Sequence, residues 1–259
     1  MCENRRYARL RGAIPTVIRT YHRPTTLEDA LSLLESDDAA VLAGGTSLIP
    51  SLIPAGTATA VVDLQDLDLD TIGLDNDRIA IGAMARIRDL VESDLVPLIL
   101  RDLARREAPN TIRNAATLGG TIASRDPESE LVAGLLVHDT RVTIVTGDGP
   151  QTVALPDYLA TPTPGIITGV TIERGGAAKA QRTGRTPADR PIVMAVARRT
   201  DDGAVHLALT GIAAFPVLID VGELTAFDPP GDFRGTTEYR RHLAETLAAR
   251  VITAVGESI

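Results

Sequence analysis

The stretch Arg113–Leu131, R-N-A-A-T-L-G-G-T-I-A-S-R-D-P-E-S-E-L, joins a glycine pair, a run of small hydroxyl residues and a closing acid. Gly119 and Gly120 permit backbone angles closed to other residues and let a ligand approach bare N–H groups. Thr117, Thr121 and Ser124 add hydroxyls around the same turn, the equipment to hold a diphosphate through many modest hydrogen bonds instead of a lysine. A second element of this kind lies upstream. Val41–Leu48, V-L-A-G-G-T-S-L, reads as a short apolar strand running into another glycine turn, with Leu42, Ala43, Gly44, Gly45, Thr46, Ser47 and Leu48 as candidate contacts. Either element alone is also plain turn chemistry. Together, 74 residues apart (Gly45 to Gly119), they can converge on one phosphate group from two sides. Neither is a P-loop, because no Gly-Lys-Ser/Thr follows, and neither has the G-x-G-x-x-G spacing.

The length of 259 residues allows one large or two smaller domains with a proper core. Aromatic residues are 3% with no Trp, and the net charge is −8, which argues against a nucleic-acid surface. Cys2, the single cysteine, cannot form an internal disulfide or hold an iron–sulfur cluster. His22, His138, His206 and His242 show no metal-ligand spacing, so no metal site is expected. Arg5, Arg6, Arg9 and Arg11 make a basic N-terminal tail without the apolar segment of a signal peptide, and no run of apolar residues is long enough to span a membrane. A cytoplasmic location is expected.

In chain order, Thr25 and Glu28 match a capping box ahead of a helix with Leu27, Ala30, Leu31 and Leu34 on one face. Strands at Ala39–Ala43 and Ala60–Asp63 complete a small α/β unit. A hairpin is predicted around Asp75-Asn76-Asp77, then helices over Arg86–Val91 and Pro97–Glu107. Ser129 is placed to cap a helix from Glu130 to Val137, with Glu130 in its first turn, a position that suits a carboxylate in any helix. A second hairpin spans Arg141–Ala154, and Gly165–Ile172 is a strand. Residues 174–190 carry no apolar periodicity and are read as a domain boundary. Strands at Ile192–Arg198 and Val205–Ala213 precede a helix over Thr237–Val255, with Tyr239, Leu243, Leu247 and Val251 on its inner face. The organisation expected is α+β: residues 16–63, 64–174 and 175–259.

The motifs A-G-G-T-S-L, R-N-x-x-T-L-G-G and D-P-x-S-E-L, within a likeness running from about Thr20 to the C-terminal helix, resemble the flavin-binding medium subunits of molybdenum hydroxylases of the carbon monoxide dehydrogenase and xanthine dehydrogenase type. The resemblance implies a two-part FAD-binding domain of the vanillyl-alcohol-oxidase/PCMH type, followed by a small C-terminal domain with an antiparallel sheet and helices. It implies bound FAD, with molybdopterin on a large partner subunit and [2Fe–2S] clusters on a small one, in a hetero-oligomer without nucleic acid. FAD would pass electrons from those clusters to an external acceptor. The resemblance adds Ala108 to the contacts, gives Glu130 the ribose hydroxyls, places Ile166 and Ile167 by the flavin ring, and brings Asp189 near the ring from the C-terminal domain. Thr121 stands where the family commonly has Asn. The basic residue that often faces the ring has shifted candidates in Lys179, Arg182 and Arg185, and the chain between Ile219 and Thr237 is shorter than the family's C-terminal domain. No catalytic residue is expected. Two other readings stay open: a non-catalytic scaffold subunit, and a self-contained FAD-dependent oxidoreductase.

Overall fold

A computed structural model describes residues 17–55, 58–186, 189–220 and 228–257. The basic tail with Cys2 lies outside the described residues, as do Pro187 and Ala188 and part of the segment after Ile219.

The first unit is a parallel sheet of β1 (Ile18–His22), β2 (Ala39–Leu42) and β3 (Thr59–Asp63), in the order β1-β3-β2. Parallel neighbours need crossovers, and helices α1 (Leu27–Leu34) and α2 (Leu48–Ala55) supply them. The cap of α1 is one residue later than the sequence predicts: Thr26 accepts from the Asp29 N–H at 3.1 Å, so Thr26 and Asp29 replace Thr25 and Glu28. Starting at Leu27 puts Ala30 in the core, with Leu27, Leu31 and Leu34 packed around it.

The second unit is an antiparallel sheet in the order β4-β5-β8-β6-β7. Its strands are β4 (Ile72–Asp75), β5 (Arg78–Gly82), β6 (Arg141–Thr146), β7 (Gly149–Ala154) and β8 (Ile166–Glu173). Asn76 takes φ 52° in the first hairpin turn, a backbone region that Asn tolerates. Between β5 and β6 run α3 (Ile87–Glu92), α4 (Leu98–Glu107), α5 (Asn110–Arg113), α6 (Leu118–Ser124) and α7 (Glu130–Val137). Helix α8 (Leu155–Ala160) follows β7. Ser129 caps α7 by accepting from the Val132 N–H at 3.1 Å.

The third sheet, β12-β11-β10-β9, joins β9 (Ala177–Thr183), β10 (Val193–Arg199), β11 (Val205–Thr210) and β12 (Val217–Ile219). The segment read as aperiodic therefore contains β9. It pairs along its length with β10 but lies at the sheet edge, where half-buried small and basic side chains leave no apolar alternation to read. Strand β10 is buried on both faces. Val193, Ala195 and Ala197 pack with α9 (Thr237–Gly256), while Met194 and Val196 join the core around α7. The buried face of α9 carries Ala244, Leu247, Ala248, Val251 and Val255; Tyr239, expected inside, is 42% exposed. Every residue of α7 is buried.

His138 ends α7 and is almost fully buried, with Nδ1 2.8 Å from the Glu173 carbonyl oxygen. Burial pulls its pKa from 6.5 down to about 4, and the nearby Arg198 and His206 act in the same direction. The unfolded chain therefore takes up this proton at higher pH than the fold does. His138 should leave stability unaffected above about pH 6.5 and remove about 3 kcal/mol as pH falls to about 4. Urea unfolding of the native chain and of His138→Gln at stepped pH checks this, because the stability difference between the two should be constant above neutrality and shift against the native chain by about 3 kcal/mol as pH falls to about 4.

Candidate functional site

Three backbone segments meet between the first two sheets. The Ile87 N–H donates to the Ala116 carbonyl at 2.9 Å, Leu118 N–H to Ala85 at 2.9 Å and Gly119 N–H to Ala83 at 2.8 Å, so residues 83–87 and 116–119 run together. The first glycine turn presses onto this pair. A Cβ on Gly44 would stand 2.0 Å from the Ala115 carbonyl oxygen, and one on Gly119 would stand 2.8 Å from the Ala83 Cβ. Gly45 takes φ +70° as the chain swings from β2 toward α2.

Around this junction lies a cavity of about 610 Å³, a size suited to a cofactor. Of the residues selected from sequence, Ala43, Gly44, Gly45, Thr46, Ser47, Leu48, Ala108, Thr117, Gly119, Gly120, Thr121, Ser124, Ile166 and Ile167 line it. Its apolar walls come from Val41, Leu64, Met84 and Ile112 together with the two isoleucines.

The two glycine elements do different work. No protein group among the described residues accepts from the N–H groups of Gly44, Gly45, Thr46 or Ser47, and α2 begins immediately afterwards. Free N–H groups leading into a helix N-terminus form an anion cradle. The second element is not the open turn its sequence suggests. Gly119 and Gly120 are in the first turn of α6, neither has positive φ, and their N–H groups are used, by Ala83 O and by Thr117 Oγ1 at 3.2 Å. Gly119 is needed for close packing instead of a left-handed angle. The Thr121 hydroxyl donates to Thr117 O at 2.9 Å and the Ser124 hydroxyl to Thr121 O at 2.8 Å, the usual back-bonding of such residues within a helix. Both residues line the cavity with their hydroxyl hydrogens already engaged, so what they can offer a ligand is an acceptor oxygen.

Leu42, Glu130 and Asp189 do not line the cavity. The Leu42 carbonyl accepts from Leu64 N–H at 3.0 Å and anchors the turn. Glu130 is buried, with Oε2 2.9 Å from Arg106 Nε and Oε1 3.3 Å from Arg182 Nη1, which turns its carboxylate from the cavity into a clamp between α4, α7 and β9. Asp189 accepts from Thr186 N–H at 3.1 Å and borders a separate small pocket with Arg185. Arg182 is held by Glu130 and the Asp189 carbonyl, Arg185 pairs with Asp189 at 3.8 Å and Lys179 is exposed. The basic residue that does reach the cavity is Arg190, 2.6 Å from Asp126.

Glu107, Asp126, Arg190, Met84 and Tyr158 line the cavity and were not selected from sequence. The first three adjoin selected positions: Glu107 precedes Ala108, Asp126 opens the D-P-x-S-E-L motif and Arg190 follows Asp189. Periodicity identified the segments but could not say which neighbour faces inward. Among the described residues no group of His, Cys, Asp and Glu is arranged to hold a metal ion, and no helix is long and apolar enough to cross a membrane.

Residues 16–172 match the family described as FAD binding domain in molybdopterin dehydrogenase. The uncharacterized protein YgfM of Escherichia coli (strain K12) is 32% identical over 250 residues, which span 90% of this chain and 95% of that protein. The carbon monoxide dehydrogenase medium chain of Afipia carboxidovorans is 34% identical over 145 residues, or 53% of this chain and 50% of that one. A chain of reconstituted CO dehydrogenase from Oligotropha carboxidovorans superposes with a TM-score of 0.81 at 26% identity, covering 91% of this chain and 96% of that chain.

Gly44→Ala must push the first turn off Ala115, so it should destabilise the fold by about 1–3 kcal/mol and distort the cavity. Gly73→Ala, where a Cβ meets open space, is the control and should shift the thermal midpoint little. Glu130→Gln should also destabilise, by about 1.5–3 kcal/mol, because it weakens charge-assisted bonds to Arg106 and Arg182. Thermal and urea unfolding of the three variants check both expectations.

Proposed function

The chain belongs to the family of FAD-binding domains in molybdopterin dehydrogenase, and from that membership we propose that it is the flavin-carrying medium subunit of a multi-chain molybdenum hydroxylase. The observation that carries the reading is the row of unpaired N–H groups from Gly44 to Ser47 on the wall of the 610 Å³ cavity. A diphosphate with its charge spread over several oxygens matches such a row without needing a lysine.

The other walls fit the same ligand. Leu64, Met84, Ile166 and Ile167 offer apolar surface for a flat ring and keep water from it. Thr121 and Ser124 offer hydroxyl acceptors, and Arg190 brings a guanidinium to the cavity from the third sheet's unit. When bound, FAD supplies redox chemistry that side chains lack. The protein's part is to bind, orient and shield, and no side chain here is assigned a bond-breaking role.

Electrons would reach the site from [2Fe–2S] clusters on a small partner subunit, since one cysteine cannot ligate a cluster, and would leave to an external acceptor. Substrate oxidation would occur on a large molybdopterin-binding subunit, within a hetero-oligomer in the cytoplasm. Residues 16–63 and 64–174 form the two parts of the cofactor domain in this proposal, and 175–259 form the C-terminal domain. Support comes from relatives whose printed names are medium chains of carbon monoxide dehydrogenase and glyceraldehyde dehydrogenase.

The test is an absorption spectrum of the purified chain after incubation with FAD and removal of the excess. The expected result is a retained stoichiometric flavin spectrum that bleaches with dithionite. A folded but colourless chain, both alone and with its partner subunits present, would overturn the proposal.

A further inference from the structure

Glu107 is the last residue of α4, and it lines the cavity beside Ala108. Its Oε2 accepts from the Leu131 N–H at 2.9 Å, and the Ser129 hydroxyl also bonds to its carboxyl. These contacts fix the side chain at the start of α7. Among the described residues it makes no ion pair. It is half-buried on the cavity wall, and the dense protein around it pushes its pKa above the usual carboxylate range. Arg190 lowers and Asp126 raises that pKa, which ties all three to one wall of the cavity.

Glu130 lies only a short way along the same helix start, yet both its oxygens are taken by Arg106 and Arg182 and it does not line the cavity. Two acids thus stand at the head of α7 with opposite surroundings. One has guanidinium partners and no ligand-facing surface. The other has ligand-facing surface and no guanidinium in contact. A carboxyl held in a protein wall by two neutral donors and no cation gains from a further donor on the cavity side.

We propose that Glu107, not Glu130, is the carboxyl through which this chain accepts a hydrogen bond from its cofactor, on a wall shared with the Asp126–Arg190 pair. The proposal rests on the reading of the cavity as the FAD site. Two donors of FAD have the required chemistry: a sugar hydroxyl of its adenosine half, and an N–H or hydroxyl of its flavin half. Either satisfies the free face of the carboxyl while Leu131 and Ser129 keep it in place.

The experiment is a fluorescence titration of the flavin-free chain with FAD, comparing the native protein, Glu107→Gln, Glu107→Asp and Glu130→Gln, with each variant's thermal midpoint recorded. Glu107→Gln should weaken FAD binding about 10- to 100-fold, the loss of one hydrogen bond to a charged acceptor. Glu107→Asp keeps the charge but retracts it, and should fall between. Glu130→Gln should lower the thermal midpoint and leave FAD affinity within about twofold of native once measured on folded protein. Native affinity should also weaken as pH falls and Glu107 takes up its proton, and Glu107→Gln should remove that dependence. Repeating the titration with FMN, which lacks the adenosine sugar, assigns the donor: a loss shared by FMN places it on the flavin half, and a loss confined to FAD places it on the adenosine half. Equal FAD affinity for the native chain and Glu107→Gln would overturn the proposal and leave the FAD site standing. So would a folded Glu130→Gln that loses FAD. Failure of the native chain to bind FAD in its assembly would instead overturn the functional reading beneath it.

Discussion

The site depends on one close approach, the backbone of Gly44 against the carbonyl of Ala115. At 2.0 Å from that oxygen there is no room for a Cβ, so the first glycine turn and the start of α6 touch without any side chain between them. Everything around the cavity inherits its position from this contact. The turn leaves it by way of Gly45 at positive φ and enters α2, and the N–H groups of residues 44–47, which line the cavity, have no protein acceptor among the described residues. On the other side, 116–119 is pinned to 83–87 by three backbone hydrogen bonds, which carries the constraint into the five-stranded sheet. A parallel α/β unit and an antiparallel sheet are thereby fixed against each other mainly by main-chain geometry.

Charge is used sparingly and in two ways. Buried Glu130 pairs with the more exposed Arg106 and Arg182, a clamp from α4 through α7 to β9, so the third sheet is tied to these helices by an ion triad as well as by apolar contact. Such a group adds positional specificity more reliably than it adds net stability, since desolvation offsets much of the attraction. The Asp126–Arg190 pair lies nearer solvent and opens on the cavity, where its dipole is available to a ligand. The same residue types, a few positions apart, are separated into structure and site by whether the paired carboxylate lines the cavity: Asp126 does and Glu130 does not.

That separation explains which parts of the molecule could be read from the sequence. The α+β organisation, the cap at Ser129, both hairpins and the first glycine turn are legible because period and turn chemistry are local. The family motifs point to segments that meet at the cavity, and 14 of the 17 residues they and the glycine turns suggest line it. What was not legible was orientation. Gly119-Gly120 looks like an open turn, but it begins a helix in which Gly119 packs against Ala83 with no room for a Cβ. Glu130 looks like a ligand acid by its motif, and only the tertiary arrival of Arg106 and Arg182 pairs both its oxygens. Strand β9 is not legible because its Ala, Lys, Gln, Arg and Thr side chains are half-buried along nearly its whole length and give no apolar alternation, and Tyr239 reads as inside because an i, i+4 row fits two adjacent faces of α9.

Because the cradle is made of backbone N–H groups, its affinity resides in the fold more than in any one side chain. The walls are drawn from residues 41–51, 83–84, 107–126, 158–167 and Arg190, so no single unit contains them. A ligand held by all of them binds the folded chain and not its parts, and must stabilise the assembled state by mass action, about 2.7 kcal/mol at 100 times the dissociation constant. Cofactor and fold are then mutually dependent: the Gly44–Ala115 contact makes the cradle, and an anion in the cradle cancels the cost of leaving four N–H groups without partners. A chain of this design can vary its surface and its charged rim widely while keeping the cradle, provided no Cβ is placed at residue 44.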